Sequence, residues 1–239
     1  MLFFGKTDVG LKRAKNEDSF VVKPGLGLCL VADGMGGAAA GELASRIFVE
    51  TAVEVFSGSL IRAEDDTADL VQRAFEGANE GVLDHVRLEP RHKGMGCTAE
   101  LMAFCNDTFV LGHVGDSRTY LLRNAQLKQL TEDHSVVQDQ VNRGIISAAE
   151  AKHHPLRSVI LRAVGVKEKI DVDLIRGKAL PGDLFLLCSD GLTDLVDDTL
   201  IQEALSLNGA IHERADKLID LAKSAGGHDN ITVVLCVVT

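Results

Sequence analysis

The chain has 239 residues, of which 46% are hydrophobic and 25% charged, enough to build a sizeable core in one large domain or two small ones. Its formal charge of −10 argues against a nucleic-acid or anionic-membrane partner. No apolar run approaches the roughly 18 residues of a membrane helix, and Met1-Leu2-Phe3-Phe4-Gly5-Lys6 lacks the apolar core and cleavage site of a signal peptide, so a cytoplasmic location is expected.

The segment from Met1 to Val22 reads as a strand, a polar loop through Thr7-Asp8-Val9-Gly10-Leu11-Lys12-Arg13-Ala14-Lys15-Asn16-Glu17-Asp18, and a second strand. Pro24-Gly25 turns into Leu28-Cys29-Leu30-Val31-Ala32-Asp33-Gly34-Met35-Gly36-Gly37, an apolar strand that reaches an aspartate and then three glycines within four positions. Taken alone, Asp33-Gly34 reads as a turn. Ala40 to Phe56 has apolar residues at three- and four-residue steps and predicts a helix. A polar loop from Arg62 to Asp66 leads to a second helix over about Thr67 to Arg87, stopped before Pro90.

Strands follow over Thr98–Cys105, Phe109–Val114, Ser117–Leu122 and Gln126–Leu130. Their short links imply antiparallel pairing. Ser135-x-x-Gln138 and Ser147-x-x-Glu150 each have the form of a capping box, predicting two short helices in a small projecting insert over about residues 135–165, the flap. Ile170–Arg176 alternates as a strand. Leu184 to Cys188 is a second apolar strand running into Ser189-Asp190-Gly191. Helices are expected over Asp198–Leu207 and Ile211–Ser224, and a last strand over Ile231–Val238. With no repeat or linker, one domain is the simplest reading. Strand-rich order with grouped helix pairs favours α+β, two antiparallel sheets covered by helices.

The cysteines number five, with no C-x-x-C spacing, and Cys29, Cys105, Cys188 and Cys236 sit in apolar runs. Buried free thiols are expected. The carboxylates read differently. Asp33 and Asp190 each end an apolar strand and precede Gly. Asp116 lies between two strands, Asp229 precedes the last, Glu17-Asp18 precedes an early one, and Asp194 follows Asp190 by four residues. Such a cluster repels itself unless cations resolve the conflict. Oxygen-only ligation suits Mg²⁺ or Mn²⁺. Two such ions, roughly 3.5–4 Å apart, can share a water and lower its pKa. Arg13 is the candidate for a phosphate group, which guanidinium binds bidentately.

Gly10-x-x-Arg13-x-x-Asn16-Glu17-Asp18, Asp33-Gly34-Met35-Gly36-Gly37, Gly115-Asp116-Ser117-Arg118, Ser189-Asp190-Gly191-Leu192 with Asp194, and Asp229-Asn230-Ile231-Thr232 resemble, in order and over nearly the whole chain, the PP2C (PPM) family of metal-dependent protein serine/threonine phosphatases, in a compact bacterial form. The flap resembles the family's through Gly144-Ile145-Ile146, His154-Pro155 and Ile160-Leu161-Arg162-Ala163-Val164-Gly165. The resemblance implies an α-β-β-α sandwich with two or three Mn²⁺ or Mg²⁺ at one end. Asp33 would bridge two metals, the Gly34 carbonyl would bind one, and Asp190 and Asp229 would complete the other. Glu17 and Asp18 would act directly or through waters, Asp116 with Asp190 or Asp194 would hold a third metal, and Arg13 would grip the phosphate. It implies direct attack of a metal-activated water on phosphoserine or phosphothreonine, phosphorylated protein substrates and a cognate bacterial Ser/Thr kinase. A monomer is taken as the default.

Two positions depart from the family's patterns. Met35 and Ala38 stand where relatives have histidines, so the leaving group's proton is expected from a metal-bound water, with His113 as a second candidate. Met35 and Met95 are expected to pack rather than react. Two other readings stay open: a phosphoprotein-binding module without turnover, which would be expected to lack a carboxylate, and a phosphatase for small esters.

Overall fold

The computed structural model describes residues 1–36, 40–59 and 63–239. The expectations that fall on Gly37, Ala38 and Arg62 lie outside the described residues.

In chain order the described elements are β1 (Leu2–Asp8), β2 (Asp18–Lys23), β3 (Leu28–Met35), α1 (Gly41–Ser57), α2 (Glu64–Leu88), β4 (Gly96–Cys97), β5 (Ala99–Cys105), β6 (Thr108–Val114), β7 (Arg118–Arg123) and β8 (Gln126–Gln129). Then come α3 (Val136–Asn142), α4 (Ala148–Ala151), β9 (Asp173–Lys178), β10 (Leu184–Cys188), α5 (Asp190–Thr193), α6 (Asp198–Leu205), α7 (Ile211–Ser224) and β11 (Ile231–Val237). One sheet has the order β1-β11-β10-β7-β8 and the other β2-β3-β5-β6-β9, with β4 added to β3. Every strand pair is antiparallel. The architecture is therefore the α-β-β-α sandwich of the α+β class.

Strand alternation builds three apolar layers from these elements. Leu28, Leu30 and Ala32 of β3 face α1 and α2, where Phe48 and Phe75 meet edge to face with ring centres 4.8 Å apart. Leu184, Leu186 and Cys188 of β10 face the helices of the other side through Ile201, Leu218 and Ile219. Between the sheets lie Cys29, Val31, Phe104, Phe109, Phe185, Leu187, Val234 and Cys236. All five cysteines are buried and free, as expected, and the thiols of Cys29 and Cys236 touch across the sheets at 3.2 Å.

Five local expectations need correction. The strands from residue 98 to 130 form two hairpins, but β6 and β7 belong to different sheets. The chain crosses over at Gly115, whose φ of +115° and close approach to Thr98 leave no room for a Cβ. Asp33-Gly34 is not a turn. β3 runs through both to Met35 because the two-residue β4 pairs with its end, Gly34 opposite Cys97. Helix α2 begins at Glu64, since three acidic residues in its first turn suit the positive end of the helix dipole. β9 begins at Asp173 rather than Ile170. In the flap, Ser147 and Glu150 form the reciprocal capping box. Ser135 accepts from the Gln138 N–H, but the Gln138 side chain turns to Asn142 instead. Among the described residues no helix is long and apolar enough to cross a membrane.

Candidate active site

The inter-sheet face of each strand carries a polar residue where the sandwich opens at one end. On β3 the face through Cys29 and Val31 continues to Asp33. On β2 the face through Phe20 and Val22 begins at Asp18, and Asp18 lies directly opposite Asp33 in the ladder. The same face of β10 continues to Ser189, and that of β11 begins at Thr232 before Val234 and Cys236. Two carboxyls thus face each other across adjacent strands, an arrangement that destabilises a sheet when both are charged.

A cleft of about 520 Å³ opens at this end, lined by Arg13, Glu17, Asp33, Gly34, Asp116, Asp190, Asp194 and Asp229. Asp18 sits behind it, 8% exposed. One Asp18 oxygen accepts from the Thr232 hydroxyl at 2.6 Å and the Ser189 hydroxyl at 2.8 Å, while Oδ1 is buried without a partner. Asp190 Oδ1 is likewise buried and unpartnered. Asp190 does not end its strand. It opens the single-turn helix α5, which carries Asp194 at its C-terminal end. Gly191 fits only because a Cβ would run into the Asn230 carbonyl.

Asn230 joins the loop of residues 9–17 to the start of β11. Its amide donates to the carbonyls of Val9 and Lys15 at 3.0 and 2.9 Å, and its Oδ1 accepts from the Glu17 N–H at 2.8 Å. Arg13 is thereby held at the rim, where it donates to Asp229 Oδ2 at 2.6 Å. Gly34 donates its N–H to the Glu17 carbonyl at 3.2 Å, and a Cβ on Gly34 would meet that same carbonyl at 2.5 Å. Asn230, Ser189 and Thr232 were within the quoted motifs but had no assigned role. The period of two along β10 and β11 was the signal that places Ser189 and Thr232 beside Asp18.

The electrostatics follow from this packing. Burial pushes Asp33 well above the ordinary carboxylate range, with Asp18, Asp190 and Asp116 adding to it. Burial does the same to Asp190, with Asp116, Asp194 and Asp229 adding. Asp18 is pushed up to about 6 by burial, against the hydrogen bonds from Thr232 and Ser189. Asp116 rises to about 7 through burial and then through Asp133 and Asp194. Glu17 and Asp194 are raised by burial as well. Arg13, held by its hydrogen bond to Asp229, is raised. Among the described residues no three Asp, Glu, His or Cys side chains already surround one point as a metal cage. Asp229 is paired with Arg13, and Asp18 with two hydroxyls. The donor set nevertheless fits hard divalent cations: it is all oxygen, crowded with negative charge, and leaves two buried carboxylate oxygens without a partner.

The family model for protein phosphatase 2C matches residues 12–225. The chain belongs to the protein phosphatase 2C family. The serine/threonine protein phosphatase PstP of Mycobacterium tuberculosis is 42% identical over 238 residues, covering 98% of this chain and 44% of PstP, so the chain spans less than half of that relative's length. The serine/threonine phosphatase stp of Listeria monocytogenes is 39% identical over 235 residues, covering 96% of this chain and 93% of the relative. A crystal structure of the PstP catalytic domain in complex with two manganese ions has a TM-score of 0.90 and 37% identity, covering 100% of this chain and 98% of that one.

His113, the second candidate for the leaving group's proton, lies away from the cleft. His113 is completely buried, its Nδ1 paired with Glu100 and its Nε2 donating to the Glu132 carbonyl at 2.8 Å. Burial opposes charge on the ring, but Glu100 overrides it and moves the imidazole up to about 9. Sealed in this way, His113 is not a general acid for the cleft. Met95 is buried in the α1–α2 core as expected, whereas Met35 reaches the cleft wall. Beside the cleft a second cavity of about 700 Å³ runs from Asp116, Asp190 and Asp194 beneath the flap, with Arg118, Asp133 and Arg157 on its walls. Arg118 donates to both Asp133 oxygens, at 2.8 and 2.6 Å.

Proposed function

We propose that this chain is a metal-dependent protein serine/threonine phosphatase that hydrolyses phosphoserine and phosphothreonine by direct attack of water, without a phosphoenzyme. The observation that carries the reading is the set of buried, mutually repelling carboxylates around Asp33 and Asp190, with Arg13 at the rim of the same cleft. Asp33, Gly34, Asp190 and Asp229, with Glu17 and Asp18, are assigned to two Mn²⁺ or Mg²⁺, and Asp116 and Asp194 with Asp190 to a third. When bound, such ions supply Lewis acidity and a water acidic enough to ionise near neutral pH.

The chain's own groups do the rest. Arg13 uses part of its donor set on Asp229 and keeps the remainder for phosphate oxygens. Asn230 holds the loop that carries Arg13, so the guanidinium is oriented before substrate arrives. Asp18, locked by Ser189 and Thr232, fixes the floor of the cleft. Glycines at 34 and 191 let the backbones of Glu17 and Asn230 close on the elements that carry Asp33 and Asp190. With Met35 unable to give a proton and His113 sealed away, the leaving oxygen takes its proton from water in the cleft. Names and coverage of the relatives support phosphorylated proteins as substrates and, by implication, a Ser/Thr kinase whose work this enzyme reverses. A cytoplasmic monomer built as one catalytic domain over residues 1–239 fits the same reading.

The test is hydrolysis of a phosphothreonine peptide by purified protein with and without Mn²⁺. Turnover should require the metal and vanish in the Asp33→Asn, Asp190→Asn double variant. Turnover that survives both substitutions overturns the mechanism. Small phosphate esters turned over much faster than peptides would instead favour a metabolite phosphatase.

A further inference from the structure

Asn79 lies on α2, on the far side of the sheet from the cleft, and is only 3% exposed. A buried amide needs partners, and all of its bonds go to one backbone segment. Its Oδ1 accepts from the Gly165 N–H at 2.7 Å, and its Nδ2 donates to the carbonyls of Lys167 at 2.9 Å and Glu168 at 3.3 Å. Gly165 has a φ of +85° and is pressed so closely against Val82 that a Cβ would clash. The segment is therefore clamped to α2.

The clamp continues inward. Val164, next to Gly165, exchanges two backbone hydrogen bonds with Cys97: Cys97 donates at 3.1 Å and Val164 at 2.9 Å. Cys97 belongs to β4, whose partners in β3 are Gly34 and Met35. The next residue, Thr98, donates its N–H to the Asp33 carbonyl at 2.9 Å. A Cβ on Gly96 would meet the Val164 carbonyl at 2.6 Å, so segment and strand are in direct contact. An unbroken backbone path thus joins Asn79 to the end of β3, and β4 is only two residues long. Among the described residues, the Cys97–Val164 pair supplies the backbone hydrogen bonds on the outer edge of β4.

We infer that Asn79 is a positioning residue: by clamping residues 164–168 it holds β4, and through β4 it sets the backbone of Asp33 and Gly34 for metal binding. This rests on the reading of Asp33 and Gly34 as metal ligands. Loosening the clamp raises the conformational freedom that metal binding must remove, so it weakens affinity without touching any ligand.

The experiment measures Mn²⁺ affinity by calorimetry and amide hydrogen exchange in the wild type and in Asn79→Ala. The variant should bind Mn²⁺ about 2- to 30-fold more weakly. Its Cys97 and Val164 amides should exchange faster, while the Val238 amide, which donates to Asp183 at the other end of the sandwich, should not change. A variant with lowered thermal stability but wild-type Mn²⁺ affinity overturns the inference, because Asn79 then serves only the fold. Should Asn79→Ala fail to fold, the wild type decides: coupling is reciprocal, so Mn²⁺ must slow exchange at Cys97 and Val164, and unchanged exchange overturns the inference. A wild type that binds no Mn²⁺ removes the metal-site reading itself, and this inference with it.

Discussion

Metal-free protein should lose stability as pH rises from 5 to 7.5, the reverse of ordinary acid unfolding. Asp18 provides the magnitude. It is 8% exposed and faces Asp33 across the ladder, and burial pushes its carboxyl from 3.8 up to about 6. With the folded pKa above the unfolded one, the folded chain binds the extra proton between them, so this group's stabilising share is complete below about pH 4 and lost as pH passes through 6. A displacement of about two pH units corresponds to about 3 kcal/mol. Roughly half of that falls between pH 5 and 7.5, a shift of the urea midpoint on the order of 0.5 M from Asp18 alone. Asp33, Asp190 and Asp116 are raised as well and act in the same direction. The assay is urea unfolding of chelator-treated protein across that range. Asp18→Asn, which keeps an amide oxygen for the Ser189 and Thr232 hydroxyls, should flatten the dependence by Asp18's share, and Mn²⁺ should restore more stability at pH 7.5 than at pH 5. A midpoint that stays level or rises with pH in the metal-free protein, or a slope unchanged in Asp18→Asn, refutes the reasoning.

Three further outcomes are expected. Arg13→Ala should lower kcat/KM on a phosphothreonine peptide roughly 10- to 100-fold, the worth of a charged hydrogen bond, while Arg13→Lys retains part of it. Gly34→Ala should destabilise the fold by about 3 kcal/mol or more in urea unfolding, because the new methyl meets the carbonyls of Gly41 and Glu17, both backbone. His113→Ala leaves Glu100 buried without its partner and should lower stability by about 3–5 kcal/mol, yet kcat of the folded protein should be unchanged because the ring never reaches the cleft.

Much of the frame was legible because apolar period reports packing. Helix α7 spans Ile211–Ser224 as its four-residue steps predict, and β5, β6, β10 and β11 lie within a few residues of their apolar runs. Less legible were features that depend on distant partners. The crossover at Gly115 looks like one more tight turn until the two sheets are known to be separate. The first turn of α2 is polar enough to read as loop, though its acids suit a helix start. Glu100 sits in an apolar run and carries no sign of its pairing with His113, which only the β5–β6 register creates. Asn79 resembles any polar position on an amphipathic helix. Its role depends on a segment about ninety residues away in sequence and joined to it by three hydrogen bonds.

The carboxylates were legible as a set, but their common location follows from parity rather than from proximity in sequence. A residue that follows Cys29 and Val31 at the same spacing must face the other sheet, and so must one that precedes Phe20 and Val22. Extending an apolar inter-sheet layer by one more step at the open end therefore places Asp33, Asp18, Ser189 and Thr232 together, from four strands and both sheets. Apolar residues at those four positions would lengthen the core by one layer and remove the repulsion between Asp18 and Asp33. The chain instead keeps two opposed carboxyls there, and one of them, Asp18, has a buried oxygen left without a partner. That arrangement lowers stability in the metal-free protein, and on the proposed reading a cation bound at Asp33 and Asp18 would offset the repulsion that the inter-sheet layer otherwise carries.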